Sequence, residues 1–330
     1  MNLSTNYLGL KLANPLIVGA SPFCDNTHVA HQLEDAGASA IVMRSLFEEQ
    51  VDAEQRALVH HTEVTANSHS EGTSYFPNYD EYQLQPDQYL RQLEELKSSL
   101  RIPVIASLNG CRPGGWTDYA RRLEGAGADA IELNLYHLVT DPERSAEEVE
   151  TDRLLTVRNV VESVKIPLAV KISVFHTSLA NFVTLLGSAG ASGVVMFNRF
   201  YQPDFDLEEM EVQPQLKLSD SSELLMRLRW LSIISPRFRG SLAASGGVHC
   251  VEDVVKAILA GAHGVQLVSV LLKHGPRLLV TLLNGLRHWM EEHGYADLDQ
   301  MRGAMNLRRC PDPAAFERAN YQKILQSWRV

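Results

Sequence analysis

Ala36-Gly37-Ala38-Ser39-Ala40-Ile41 decides the fold, because the segment returns three more times. The later copies are Ala126-Gly127-Ala128-Asp129-Ala130-Ile131, Ala189-Gly190-Ala191-Ser192-Gly193-Val194 and Ala260-Gly261-Ala262-His263-Gly264-Val265. Each copy ends a helical-looking stretch and runs into a short apolar one. Glycine suits the left-handed residue that closes a helix, and the small residues after it let the chain turn at once into a buried strand. The four glycines stand 90, 63 and 71 residues apart. One strand–helix unit takes roughly 30 residues, so the two shorter intervals hold two units each and the longest holds two plus an insertion. Four copies at every second unit make eight units.

Proline marks the alternate positions. Asn14-Pro15-Leu16, Ile102-Pro103-Val104 and Ile166-Pro167-Leu168 each open an apolar run, and proline at the first residue of a strand costs no ladder hydrogen bond. Eight strands follow, at 15–21, 40–45, 103–109, 130–135, 167–172, 193–198, 241–245 and 264–269. Their near-continuous apolar character fits strands covered on both faces. A doubly wound open sheet has the same alternation. The count of eight, and the lack of a Gly-x-Gly-x-x-Gly turn after the first strand, favour a single closed (β/α)8 TIM barrel over 1–330. The surplus length falls in an insertion at 46–85 and in a C-terminal extension from about Gly294.

The composition narrows the partners. A net charge of −10 with no basic stripe argues against nucleic acid. No apolar run reaches membrane-spanning length, and the first residues lack a signal pattern. Cys24, Cys111, Cys250 and Cys310 are scattered without Cys-x-x-Cys spacing, which predicts reduced thiols in a cytoplasmic protein. His60-His61, His137, His176, His249 and His263 make no metal motif, so no metal is expected.

In barrel enzymes the chemistry sits at the C-terminal ends of the strands. Those ends carry Ser21, Arg44-Ser45, Asn109-Gly110, Asn134, Lys171, Asn198, Gly246-Gly247 and Ser269. Lys171, inside Ala169-Val170-Lys171-Ile172, must reach the mouth or be buried at a cost. Ala244-Ser245-Gly246-Gly247-Val248 and Val268-Ser269-Val270 precede helices and read as an anion cradle, with the glycine pair allowing close backbone approach. Amides, a lysine and a phosphate cradle suit a nucleotide-type cofactor with a small-molecule substrate.

At this point the residues resemble a family. Leu8-Gly9-Leu10-Lys11-Leu12-Ala13-Asn14-Pro15, Glu132-Leu133-Asn134-Leu135, Val170-Lys171, Ser245-Gly246-Gly247-Val248 with Gly261-Ala262-His263-Gly264-Val265-Gln266-Leu267, and Tyr295-Ala296-Asp297-Leu298 through Arg302-Gly303 are together similar to the class 1 dihydroorotate dehydrogenases. These are FMN-binding barrels with an N-terminal hairpin, and the resemblance covers nearly the whole chain. It implies FMN held by Ser21, Arg44, Asn109, Asn134, Lys171, Gly246, Gly247 and Ser269. Lys171 would tune the charge of the reduced flavin. Substrate would meet Asn134, Asn198 and Arg44, under a lid formed by 46–80. The implied reaction is oxidation of dihydroorotate to orotate, with fumarate or another acceptor taking the electrons. The implied assembly is a homodimer.

The chain departs from the family pattern at informative places. Where the family continues Asn-x-Ser-[Cys/Ser]-Pro-Asn, this sequence has Asn134-Leu135-Tyr136-His137-Leu138-Val139, which puts His137 at the position of the catalytic base. Imidazole titrates near neutrality and can serve. Arg44 stands for a lysine, Arg199 follows Asn198 in place of Thr or Ser, and Gly72 replaces an asparagine ahead of Tyr75-Phe76-Pro77-Asn78. These changes leave three alternatives open: a different dihydropyrimidine or unsaturated cyclic substrate, a flavin-binding protein without turnover, and a sugar-phosphate barrel using Lys171 as a Schiff base without flavin.

Overall fold

A computed structural model describes residues 1–47, 86–110, 116–213 and 216–327. Most of the insertion expected at 46–85, with His60-His61, Gly72 and Tyr75 to Asn78, lies outside the described residues, as does Cys111. Eight parallel strands close into a barrel: Leu16–Val18, Ala40–Phe47, Val104–Asn109, Ala130–Asn134, Leu168–Ile172, Gly193–Met196, Ser241–Ser245 and Gly264–Leu267, the last pairing with the first. These are strands one to eight below. Strand two runs on to Phe47, two residues past its expected end, while strands one, six and eight stop sooner. The chain beyond their ends turns into the loops of the mouth.

The repeated segment does what its composition predicts. Gly37, Gly127, Gly190 and Gly261 have φ of 102°, 92°, 100° and 120°. The alanine after each donates its N–H back to a carbonyl five residues earlier, to Leu33, Leu123, Leu186 and Ala257 at 2.9–3.1 Å. That bond closes a helix C-terminus around a left-handed residue. The small fifth residue has a separate cause. Tyr7 and Leu8, from an N-terminal hairpin of Thr5–Tyr7 with Leu10–Leu12, plug the bottom of the barrel and are buried with Ala40, Ala130, Ala169 and Ala243. A Cβ on Gly193 would lie 2.5 Å from Leu8 Cδ2, and one on Gly264 would lie 2.6 Å from Ile17 Cδ1. The interior is thus filled by small strand residues around a plug from outside the sheet. Leu8 N–H donates to Ser241 Oγ at 2.8 Å, tying the hairpin to strand seven.

Around the barrel, helices such as Thr27–Asp35, Pro86–Ser99, Ala146–Ser163 and Val251–Ala260 bury their apolar faces on the outer sheet surface, forming the larger core. The C-terminal extension is present as the short helix Leu298–Met301 and the helix Arg318–Ser327. One element is unexpected: a small antiparallel hairpin, Asp204–Asp206 with Glu211–Gln213, between strand six and the helix Leu224–Ile234. Among the described residues no helix is long and apolar enough to cross a membrane.

Candidate active site at the barrel mouth

Lys171 reaches inward from the penultimate position of strand five, buried like its neighbours. Its Nζ donates to Glu132 Oε1 and Gln266 Oε1, both at 3.1 Å, and Gln266 Nε2 donates to Glu132 Oε2. Strands four, five and eight therefore meet in a closed polar set. An unpaired buried carboxylate would be costly, and this one is paired with a cation and an amide. Lysine committed to two acceptors works against the free amine that a Schiff base requires.

Above this floor opens a cavity of about 510 Å³, within the usual range for a cofactor-sized site. Its described lining includes Ser21, Arg44, Asn109, Asn134, Lys171, Asn198, Gly246, Gly247 and Ser269. Every cofactor and substrate candidate from the strand ends thus converges on one space. Asn134 Nδ2 donates to Ser45 Oγ and Ser107 Oγ, each at 2.9 Å, and the two hydroxyls sit 2.8 Å apart. Asn198 Nδ2 donates to the Lys171 carbonyl at 3.2 Å. Arg44 pairs with Asp25, and its N–H donates to Cys24 Sγ at 3.2 Å. Burial pushes the Cys24 thiol up to about 12, so it stays protonated and inert.

The glycine pair forms one end of the cavity. Gly246 and Gly247 have φ of 84° and 81°, a conformation strained for any other residue. A Cβ on Gly247 would also stand 2.4 Å from Leu224 N. Ser219 joins this corner: its N–H donates to Ser269 Oγ at 3.1 Å, its hydroxyl lies 3.1 Å from His249 Nε2, and Lys273 Nζ donates to its carbonyl at 2.9 Å. Burial and the nearby Lys273 ammonium hold His249 below the usual imidazole value. Behind Gly246, buried Arg227 donates to the Ser245 carbonyl at 2.6 Å. Glu223 is shared by Arg199 at 3.0 Å and Arg227 at 3.6 Å. One carboxylate between two guanidiniums leaves a positive surplus beside hydroxyls and bare backbone, a donor set for a phosphate.

His137 is not brought to this space. The chain leaves strand four with Leu135 N–H on the Lys171 carbonyl at 2.9 Å. Tyr136 then turns into the cavity wall, whereas exposed His137 lines a separate hollow of about 340 Å³ with Arg153 and His176. Tyr136 stacks on Phe200 at 4.7 Å, which lines that second hollow. Among the described residues the mouth lining holds no carboxylate, imidazole or thiol, and its phenols are Tyr136 and Tyr201. Burial raises the Tyr136 phenol.

Sequence reading passed over Glu132, Gln266, Ser219, Arg227 and Tyr136. A polar residue inside a wholly apolar strand was the available signal for the first two. Ser219 and Tyr136 lie in loops, which carry no periodic signal, and Arg227 lies on the helix Leu224–Ile234.

Known proteins resemble this chain over most of its length. The family described as dihydroorotate dehydrogenase matches residues 2–290. The chain is 24% identical over 312 residues to the dihydroorotate dehydrogenase B (NAD(+)), catalytic subunit, of Thermoplasma volcanium, covering 92% of this chain and 98% of that one. It is 23% identical over 335 residues to the NAD-dependent dihydropyrimidine dehydrogenase subunit PreA of Escherichia coli K12, covering 94% and 78%. It is 21% identical over 328 residues to the chloroplastic dihydropyrimidine dehydrogenase (NADP(+)) of Arabidopsis thaliana, covering 92% and 76%.

Proposed function

The chain belongs to the dihydroorotate dehydrogenase family, oxidoreductases acting on CH–CH bonds, and from that premise we propose that it oxidises dihydroorotate to orotate at the barrel mouth, with FMN as cofactor. The observation that carries the reading is the Glu132–Lys171–Gln266 set beneath a cavity whose far end is a phosphate-type cradle. FMN, when bound, supplies the two-electron acceptor for hydride. The phosphate would be held by Gly246, Gly247, Ser219 and Ser269, with Arg227 and Lys273 behind them. Asn109, Asn134 and Ser21 would fix the ring system, and Lys171 would stabilise negative charge on its reduced form. Arg44 and Asn198 would orient the substrate.

Removing two hydrogens from a ring C–C bond would leave, besides the hydride that bound FMN would accept, a proton for the protein to take up. We assign the proton to Tyr136, which lines the cavity where His137 does not. A phenol raised by burial is protonated at neutral pH. It is therefore a ready acid for reduction of an unsaturated ring and becomes a base only as pH rises.

A second reading, a dihydropyrimidine without the carboxylate, is supported by the relatives named dihydropyrimidine dehydrogenases. The test is product formation by FMN-loaded protein given dihydroorotate, or separately 5,6-dihydrouracil, with fumarate or a redox dye as acceptor. Orotate formed from dihydroorotate supports the first reading. Oxidation of dihydrouracil alone moves the function to the second. No product from either, with any acceptor, overturns both.

A further inference from the structure

His249 stands behind the phosphate-type cradle and not in it. Among the described residues Ser219, Gly247 and Ser269 line the mouth, and His249 does not. Its Nε2 lies 3.1 Å from Oγ of buried Ser219, which also accepts the Gly247 N–H at 3.4 Å. The turn that carries the imidazole is pinned. The His249 N–H donates to Oδ2 of buried Asp253 at 2.9 Å, and Ser221 Oγ donates to the same oxygen at 2.6 Å. Ring and hydroxyl are thus held against each other from both sides, although His249 takes no part in the oxidation itself.

A hydroxyl has one proton and two lone pairs. One lone pair of Ser219 takes the Gly247 N–H. With no proton on His249 Nε2, the Ser219 proton points to that nitrogen and the mouth meets the second lone pair. With a proton on Nε2, the ring donates to that lone pair instead, and the Ser219 proton turns into the mouth. The protonation of one ring nitrogen therefore decides whether Ser219 offers an anion a donor or a repulsive lone pair. Ser269 Oγ accepts the Ser219 N–H at 3.1 Å, so its own proton is likewise turned away from Ser219. Lys273 and His274, from the helix Ser269–His274, disfavour a positive imidazole, whereas Asp253 and Asp220 favour it. Burial and Lys273 prevail, which holds the ring below its usual value and neutral near pH 7. A phosphate dianion in the cradle reverses that balance.

We propose that His249 is a positioning residue for a phosphate monoester: binding draws a proton onto Nε2, and the Ser219 hydroxyl thereby becomes a donor to the phosphate. The proposal rests on the FMN reading for the identity of the ligand alone. Linkage makes the His249 contribution depend on pH. The complex holds more protons than the free protein, so this contribution grows as pH falls from the bound value of the imidazole toward the free one. A phosphate monoester itself takes up a proton at about pH 6, so a ratio between variants isolates the histidine.

The test is fluorescence titration of the flavin-free chain with FMN and with riboflavin, which lacks the phosphate. At neutral pH, His249→Ala should weaken FMN by about ten-fold or more and leave riboflavin within about two-fold. His249→Gln, whose amide can donate to Ser219 at any pH, should recover most of that loss. The ratio of wild-type to Gln-variant affinity for FMN should grow as pH falls from 8 to 6. On wild-type protein, NMR titration of His249 should move to higher pH with FMN or inorganic phosphate and stay in place with riboflavin. Equal losses for both flavins, or no loss, would overturn the proposal. So would a His249 titration that phosphate leaves unmoved, a readout that stands even where a variant fails to fold. A chain that takes up neither flavin, yet whose His249 responds to inorganic phosphate, would sink the FMN reading and support the phosphate site.

Discussion

At the scale of single residues, Glu132 sets the character of the site although it touches the cavity only through others. It is fully buried and balances the Lys171 charge while Gln266 bridges the two. Replacing it with the neutral Glu132→Gln should leave a less compensated ammonium under the flavin. We expect the two-electron potential to rise by about 30 mV or more, equivalent to about 1.4 kcal/mol; redox titration showing no change or a fall would detach Glu132 from the cofactor. Tyr136→Phe tests the proton path. With wild type, flavin reduction by substrate should accelerate with pH toward the raised phenol value. The variant should be slower by about 100-fold and lose that dependence. A wild-type-like profile would clear Tyr136 of the role. Strand-end residues were legible because a barrel dictates where strands end. Glu132 and Gln266 were not, since a single polar residue in an apolar run leaves the pattern intact. His137 lines the neighbouring hollow and Tyr136 the mouth because one residue of turn decides which side chain enters it, and no periodicity governs a loop.

At the scale of elements, the repeated Ala-Gly-Ala segment was readable because two constraints act within six residues: a left-handed helix end and a small residue against the Tyr7–Leu8 plug. Gly264→Val would drive a side chain toward Ile17 and Tyr7, and overpacking of this kind costs about 1–3 kcal/mol, measurable by urea unfolding. Tyr7→Phe should behave oppositely. The Tyr7 hydroxyl is buried with no hydrogen-bond partner among the described residues, so its removal should leave stability unchanged or raise it by about 1 kcal/mol. A clear loss would mean the hydroxyl is satisfied. His263, in the fourth copy, accepts from Leu242 N–H through Nδ1 at 3.1 Å. Burial, then the Arg302 guanidinium, pushes its imidazole down to about 4 from 6.5. The unfolded chain then binds more protons between those values, so stability rises with pH across that window and is lost as pH falls through it. The loss should reach about 2 kcal/mol after allowance for partial exposure, and His263→Gln should reduce it in urea melts at both ends of the window. The acidic hairpin escaped sequence reading for a plain reason: three-residue strands rich in Asp and Glu look like loop.

At the scale of the whole molecule, the sequence carried the barrel further than the chemistry. Eight strands follow from spacing and backbone geometry that any member of the fold must respect. The substrate turns on a few loop side chains, and most of the lid expected at 46–80 lies outside the described residues. What joins the scales is the mouth, where strands four, five and eight supply a buried charge set and strands seven and eight supply the proposed phosphate cradle. The most direct measurement is an anaerobic mix of the FMN-loaded protein with dihydroorotate, following the flavin absorbance. Bleaching within catalytic times, slowed sharply by Lys171→Ala, is the predicted result. A protein that takes up no FMN, or a flavin that dithionite bleaches and neither dihydroorotate nor dihydrouracil does, would contradict the account.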